Sequence, residues 1–217
     1  MKNLIYKEFH LATLPLTFIF LSFSLMTFIP GYPILCGTFF ICLGIFQSYQ
    51  KSGENNDILY SALLPVGKCD VVKGKYAAAV FIETAAFILC AVFTLTRMAF
   101  MSHLPVYTSN FMMSANFVYL AFVLLIFTAF NLIFIGGFFK TSFKTGKPFV
   151  IFSIINFALI TLAETLHHLP SLNWLDAADF SFWGRHLIIL SSAFAIYVVS
   201  TAFSCITSQH RFENTDL

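Results

Sequence analysis

The residues best suited to chemistry lie in the stretch ETLHH, which supplies Glu164, His167 and His168. A carboxylate and imidazoles at helical spacing can hold a metal ion. The stretch lacks the H-E-x-x-H order in which two histidines and a glutamate build a zinc protease site. We therefore interpret these residues as polar groups at the end of a helix, and we expect no catalytic residue and no metal site in this chain.

Other cofactor patterns also fail. The segment TGKP at 145–148 resembles part of a phosphate-binding loop, but Thr141 stands where its first glycine belongs and Pro148 where a hydroxyl must reach magnesium. We expect no ATP site and no other cofactor in this chain. The five cysteines match no zinc, haem or redox spacing, so we expect no disulfide. They are Cys36, Cys42, Cys69, Cys90 and Cys205.

Glu83 is the clearest charged residue inside an apolar run, and a charge at the centre of a bilayer costs at least about 2.5 kcal/mol. It lies about 12 Å along a helix from Lys75. Two interpretations stay open: a polar lining or charge partner in a translocation path, or a structural contact, either a helix–helix hydrogen bond or a pair with Lys75 or Lys140. By contrast, Arg97 and Glu164 fall near the outer boundary, where exposure or snorkelling removes most of the cost.

The elements that must position these residues are transmembrane helices. Of the 217 residues, 59% are hydrophobic and only 10% are charged, against about 25% charged in soluble domains. About 20 apolar residues cross a bilayer core of about 30 Å. The sequence predicts an all-α integral membrane protein, one domain over 1–217, with six spans. They are 14–29, 34–49, 76–100, 111–139, 149–166 and 183–207. Asn116, Asn131 and Gly136-Gly137 predict that the fourth either bends or begins with a surface helix.

Lysine and arginine predict the orientation, because they favour the cytoplasmic side of short loops. With the N-terminus inside, ten of them lie on the inner side and two, Arg97 and Arg185, on the outer side. We expect a multi-pass protein of the plasma membrane with both termini in the cytoplasm. The inner set is Lys2, Lys7, Lys51, Lys68, Lys73, Lys75, Lys140, Lys144, Lys147 and Arg211.

Residues 1–13 have the pattern of a helix lying on the inner membrane surface rather than of a cleaved secretion signal. A short polar tail is the alternative. The predicted apolar face holds Leu4, Ile5, Phe9 and Ala12, and the predicted water-facing side holds Lys2, Lys7 and Glu8.

The loop 50–75, between the second and third spans, is more elaborate than a simple connection needs. One face of a short helix can hold Ile58, Leu59, Ala62 and Leu63. Leu64-Pro65 breaks this helix, and a second helix begins near Asp70. Such a helix with an apolar face can dock into the groove of a partner protein. A loop lying on the membrane surface is the alternative.

In detail, NDILYSALLPVGKCDVVKGKY resembles the first cytoplasmic loop of ABC-2 type transporter permeases, in which an acidic residue, an apolar stretch, LP-V, a basic residue and K-Y recur in that order. The six spans, the interfacial helix and the inside termini also agree with that family. Gly67 replaces the usual serine or threonine, and Lys68 the common arginine. The matching residues are Asp57, Leu63, Leu64, Pro65, Val66, Lys68, Val71, Val72, Gly74, Lys75 and Tyr76.

The resemblance implies an exporter subunit that works with separate ABC ATPase subunits, which would hold the ATP and Mg²⁺, and with a second permease chain, a homodimer rather than a heterodimer. The loop would be the coupling helix that rests in a groove of the ATPase. Within the family, the chain is similar to bacterial exporters of amphipathic peptides, including the phenol-soluble-modulin exporter, and to bacteriocin-immunity and drug-efflux permeases. No nucleic-acid partner is expected. The ATPase-coupling residues would be Asp57, Ile58, Leu59, Leu63, Leu64, Pro65, Val66 and Lys68.

Two other classes stay open from the residues alone. A secondary transporter would couple to an ion through buried carboxylates, and only Glu83 is well placed for that role. A membrane scaffold or signalling subunit would need the loop but no path through the bundle. Co-purification with an ATPase would separate the exporter from both.

Overall fold

A computed structural model describes residues 2–63, 66–108, 111–141, 143–166, 168–177 and 180–214 of the protein. Every regular element in these ranges is helical, as predicted. Two π-helical turns, Glu8–Ala12 and Phe130–Ile135, and the 3₁₀ segment Leu21–Phe28 adjoin α-helices, and a second 3₁₀ segment, Pro170–Asp176, lies between the last two. The α-helices are α1 Lys2–Lys7, α2 Pro15–Phe20, α3 Cys36–Glu54, α4 Asp57–Leu63, α5 Lys68–Phe100, α6 Pro105–Thr108, α7 Phe117–Ala129, α8 Gly136–Lys140, α9 Gly146–Leu166 and α10 Trp183–Glu213.

Four helical stretches in the described ranges are long and apolar enough to cross a membrane, and they contain most of the last four predicted spans. The count rises to five if the pair Leu4–His10 and Pro15–Phe28, bent by 82°, is one broken span. The four stretches are Lys68–Phe100, Phe117–Lys140, Gly146–Leu166 and Trp183–Glu213.

The first two predicted spans do not form comparable helices. In the first, α2 passes directly into the 3₁₀ segment Leu21–Phe28. In the second, α3 is 19 residues long, but its last turns are polar through Gln47, Gln50 and Lys51. Therefore α3 is not among the four long apolar stretches.

The stretch Phe117–Lys140 lies at the centre of the bundle. Of its most apolar 18 residues 78% are buried, against 22% of the most apolar 18 residues of α9 and of α10. The outer helices therefore present most of their apolar surface outward, as helices facing lipid do. The fully buried phenylalanines Phe127, Phe130, Phe134 and Phe138 make this stretch the core.

The central stretch is irregular. It begins at Phe117 rather than at residue 111, because Asn116 caps the helix through hydrogen bonds from the backbone N–H groups of Val118 and Tyr119. The π-helical turn Phe130–Ile135 then interrupts it and contains Asn131. Such turns insert a residue into an α-helix and are frequent at functional sites.

The end of the bundle that carries α4 also holds the last turn of α10, since the Lys68 Nζ atom lies 3.5 Å from the Glu213 carbonyl oxygen. We call this end the loop end. The long helix α5 starts here at Lys68, directly after Gly67, which offers no side-chain cap. The second half of the predicted loop and the predicted third span are thus one continuous helix of 33 residues.

Candidate functional site

Four charged residues from four elements meet at the loop end. Asp57, the first residue of α4, lies between Lys7 of α1 and Lys75 of α5, with Nζ–Oδ distances of 2.7 and 3.0 Å. Glu8 lies between the same two lysines, at 3.0 Å from Lys75 and 3.3 Å from Lys7. We call this closed, alternating arrangement the charged ring. It corrects the prediction that Lys7 and Glu8 face water.

The charged ring is largely buried, with Lys75 and Glu8 more deeply placed than Lys7 and Asp57, and it is well supplied with hydrogen bonds. Lys75 and Glu8 expose only 3% and 5% of their surface. Ser52 of α3 donates to Asp57 Oδ2 at 3.0 Å and accepts from Lys75 at 2.8 Å. On the other side, Ser61 accepts a hydrogen bond from Lys7 and donates to the Asp57 carbonyl oxygen. Buried ions are tolerated when they are paired and hydrogen-bonded in this way.

Local sequence explains how Asp57 reaches this position. Asn56 has a positive φ of 50° and allows a tight turn between α3 and α4, a conformation that asparagine adopts more readily than most residues. Asp57 then occupies the first turn of α4, where the positive end of the helix dipole favours a carboxylate. The turn therefore aims the carboxylate back at α5 rather than at solvent.

The environment of Asp57 favours its charged form. Burial alone would raise its pKa, but the nearby ammonium of Lys75 and the hydrogen bonds from Lys7 and Lys75 lower it by more, so the pKa of Asp57 lies below its ordinary value. The carboxylate therefore stays ionised at neutral pH, and its attraction to the two lysines holds α4 against α5 and α1.

The other predicted coupling residues divide between two faces of α4. Ile58 is 4% exposed and packs into the core, which does not suit a contact residue. On the opposite face, Tyr60 and Leu63 expose 65% and 77% of their surface. After α4, Val66 and Lys68 are half-buried, with Lys68 over the ring of Phe212. The remaining predicted positions lie outside the described part: the side chain of Leu59 and the residues Leu64 and Pro65.

Glu83 lies in a second polar cluster, deeper in the bundle. It is 1% exposed, and its Oε2 atom accepts hydrogen bonds from Tyr197 Oη at 2.7 Å and from Asn131 Nδ2 at 3.0 Å. Asn131 also donates to Thr201. Among the described residues no cation pairs with Glu83, and Lys75 belongs to the charged ring instead. The helix–helix hydrogen bond that the sequence left open is present; a role in a translocation path stays a prediction.

One face of α10 continues this cluster towards the loop end, and sequence reasoning missed it. Ser204 donates to the Asn131 carbonyl oxygen at 2.8 Å, and its hydroxyl lies 2.8 Å from that of Tyr76. The signal was available, because polar residues recur at helical spacing along the last apolar run. They are Tyr197, Thr201, Ser204, Ser208 and Arg211.

At the opposite end of the bundle, polar residues tie loops to helices. Arg97 is 3% exposed rather than snorkelling, because its guanidinium donates to the Thr27 carbonyl oxygen at 2.6 Å and stacks on Tyr107. Glu164 of the ETLHH stretch accepts from the backbone N–H of Met113 at 2.9 Å. His167 lies outside the described residues. In the described ranges no group of three or more metal-ligating side chains comes together.

A helical bundle with four or five stretches long enough to cross a bilayer defines a multi-pass α-helical membrane protein. The model of the family described as "ABC-2 family transporter protein" matches residues 3–210, so the chain belongs to that family. Membership makes it a membrane permease component of an ABC transporter, with an ATPase as partner, rather than a catalytic subunit. No curated protein and no solved structure matches the chain.

Proposed function

We propose that this chain is the membrane-spanning subunit of an ATP-driven exporter, and that α4 is the helix through which separate ATPase subunits drive it. One observation carries the proposal: α4 presents Tyr60 and Leu63 outward, while Asp57 ties the same short helix to α5 through Lys75. A partner that grips the outer face of α4 therefore acts on a long helix without touching it.

The charged ring supplies the mechanical link. Movement of α4 displaces Asp57, and the 3.0 Å contact with Lys75 passes this displacement to the start of α5. Lys7 and Glu8 carry it to the N-terminal helix through the same ring. Alternating access requires two packings of the bundle that the ATPase binds with different affinity. A buried ring of ion pairs suits such a link, because its directed bonds resist sliding.

The predicted six spans and their orientation are part of the proposal. Pro15–Phe28 would extend about 25 Å, since its second part rises about 2.0 Å per residue as a 3₁₀ segment. The 19 residues of α3 would extend about 28 Å. Both lengths approach the bilayer core of about 30 Å. In this arrangement the loop end, with its lysines and both termini, faces the cytoplasm.

The substrate class proposed is an amphipathic or hydrophobic molecule, with peptides tested first, and the working unit contains two copies of this chain. Glu83 would act on the path only by lining it, since its partners Asn131 and Tyr197 belong to the same bundle. The dimer rests on the resemblance of the 56–76 stretch to ABC-2 type permeases in general. The substrate class rests on the small size and short outer loops of the chain, which are similar to those of bacterial exporters of amphipathic peptides.

The test is co-purification in mild detergent with the ATPase encoded by a neighbouring reading frame, followed by measurement of its hydrolysis rate. We expect Leu63→Asp to abolish stimulation of the ATPase, because the charge would be buried unpaired in the groove. Leu169→Asp, the same change at an exposed site on the opposite end, is the matched control. Failure to recover any ATPase with the wild-type chain, or normal stimulation of it by Leu63→Asp, would contradict the proposal.

A further inference from the structure

A cavity of about 340 Å³ opens at the loop end, among α8, the start of α9 and the last turns of α10. Its size lies at the low end of ligand pockets, which are about 300–1,000 Å³. The described residues around its rim include three cations: Lys140, Lys147 and Arg211.

The charged residues among the described lining of the cavity are all positive. Its described lining residues include no aspartate or glutamate. Lys140 and Lys147 are exposed, and no carboxylate of the described part forms an ion pair with either. Arg211 is held in place by its hydrogen bond to the Gly136 carbonyl oxygen at 3.1 Å. The group that this rim attracts is therefore an anion.

The wall of the cavity is apolar and faces outward. Leu132 and Ile151 expose 39% and 42% of their surface, and Ile133 and Pro148 complete the wall. A free phosphate ion would contact only the rim. A molecule with an anionic head and a hydrocarbon tail would contact both the rim and the wall.

The depth of the cavity matches the headgroup layer of a membrane. Lys140 is the last residue of the stretch Phe117–Lys140, and Lys147 is the second residue of α9, Gly146–Leu166. These stretches of 24 and 21 residues extend about 36 and 32 Å, against a hydrocarbon core of about 30 Å. Lysines at their ends therefore lie at the level of lipid phosphates.

The backbone around the cavity is closely packed. A Cβ atom on Gly137 would lie 2.9 Å from Pro148 Cβ, and one on Gly136 would lie 2.9 Å from Ser204 Oγ. The glycines thus let α8 approach α9 and α10 closely. Thr141 donates to the Gly137 carbonyl oxygen at 2.9 Å at the turn that follows. The two lysines consequently project from well-defined backbone positions.

From this combination we infer that the cavity binds one anionic phospholipid, its phosphate between Lys140 and Lys147 and its acyl chains along Leu132 and Ile151. Basic pockets between transmembrane helices at the membrane surface bind anionic headgroups by this chemistry. Binding of this lipid requires neither the ATPase nor a particular transport substrate.

The experiment titrates the full-length protein in neutral detergent with dioctanoyl phosphatidylglycerol, dioctanoyl phosphatidylcholine or inorganic phosphate, and counts bound molecules by native mass spectrometry. We expect phosphatidylglycerol to bind at least tenfold more tightly than phosphatidylcholine. The double variant Lys140→Gln/Lys147→Gln should weaken phosphatidylglycerol by tenfold or more, since each lysine contributes about fivefold, equivalent to about 1 kcal/mol. Lys51→Gln/Lys144→Gln removes the same charge from exposed sites outside the cavity and should change binding less than twofold.

A second variant tests the apolar wall without changing charge. Ile151→Trp should fill the groove and weaken both lipids, with the melting temperature close to wild type because the side chain is exposed. Equal losses in the two double variants, equal binding of both lipids, or unchanged binding by Ile151→Trp would each overturn the inference. So would competition by inorganic phosphate at lipid-like concentrations, or a cross-link between cysteines placed at 140 and 151 of two copies.

Discussion

Asp57 and Glu83 are both carboxylates in the packed part of this protein, and they are held by opposite means. Asp57 has two ammonium groups within 3.0 Å and belongs to a ring that sums to zero charge. Glu83 has two neutral donors, an amide and a phenol, and no cation among its described neighbours. The first site lies at the end of the bundle, and the second lies along α5 inside it.

The two environments indicate different roles for Asp57 and Glu83. The charged ring lies at the end of the bundle beside the exposed face of α4, and its directed ion pairs would move with α4 rather than slide past it. A carboxyl group deep in a bilayer finds no other polar partners if it moves, so it keeps the ones it has. We therefore expect the charged ring to be the part that moves, and the Glu83 cluster to be a fixed joint between α5, the π-helical turn and α10.

The largest effect on this difference between the two sites is expected from Lys75→Met, which removes the more deeply buried cation of the charged ring. Asp57 and Glu8 would then share Lys7 alone, which leaves one negative charge in the packed site without a cation, and we expect the free energy of unfolding to fall by about 3–5 kcal/mol. Lys73→Met is the matched control, because its pair with Asp70 is largely exposed and contributes little. Thermal unfolding in detergent measures both; equal stabilities of the two variants would show that the ring does not hold α4.

Two substitutions at Glu83 test whether its cluster depends on hydrogen bonds rather than on charge. Glu83→Ala leaves the Tyr197 hydroxyl and an Asn131 N–H without their acceptor, which should cost about 1–3 kcal/mol. Glu83→Gln keeps an oxygen acceptor and should stay within about 1 kcal/mol of wild type, as expected where the partners are neutral.

Transport assays on Glu83→Gln at matched expression decide its function. Unchanged transport excludes a role for the charge of Glu83 in the path and leaves a structural joint. A large loss of transport by a stable Glu83→Gln protein would instead make the charge itself functional, contrary to the comparison.

The smallest expected effect is the pH dependence of Asp57. Its folded pKa is depressed, so its contribution to stability is complete above the ordinary carboxyl value of about 3.9 and is lost as the pH falls through the folded pKa. Melting temperatures measured below about pH 5 should therefore fall less steeply for Asp57→Asn than for wild type. Parallel curves for the two proteins would mean that Asp57 does not titrate differently in the folded state.

Local pattern predicted much of the bundle. Long apolar runs predicted the four helical stretches that are long and apolar enough to cross a membrane, and Asn131 lies in the π-helical turn of the central one. The first two apolar runs were harder to predict as spans. In the first, hydropathy does not distinguish a regular helix from the 3₁₀ segment Leu21–Phe28. In the second, the polar end of α3 shortens its apolar part.

The site was predicted only in outline. Resemblance selected Asp57 and Lys75, but their contact spans 18 residues and Lys75 reaches Glu8 across 67. Periodicity within a helix carries no information on such long-range pairs, so Lys7 and Glu8 read as water-facing. An apolar helix face predicts burial but does not indicate whether the same chain or a partner covers it. The sequence therefore predicts a partner contact for Ile58, which packs into the core of this chain.

The distance along the chain between members of the charged ring also bears on how the protein is made. Glu8 is synthesised 67 residues before Lys75, so the N-terminal segment leaves the ribosome long before the buried lysine that pairs with it exists. Until α5 appears, Glu8 has only Lys7 as a cation partner and is more stable in water or among headgroups than in its final position. The first helix of the chain is therefore among the last to be seated, and a truncation that ends before α5 should leave it accessible to proteases.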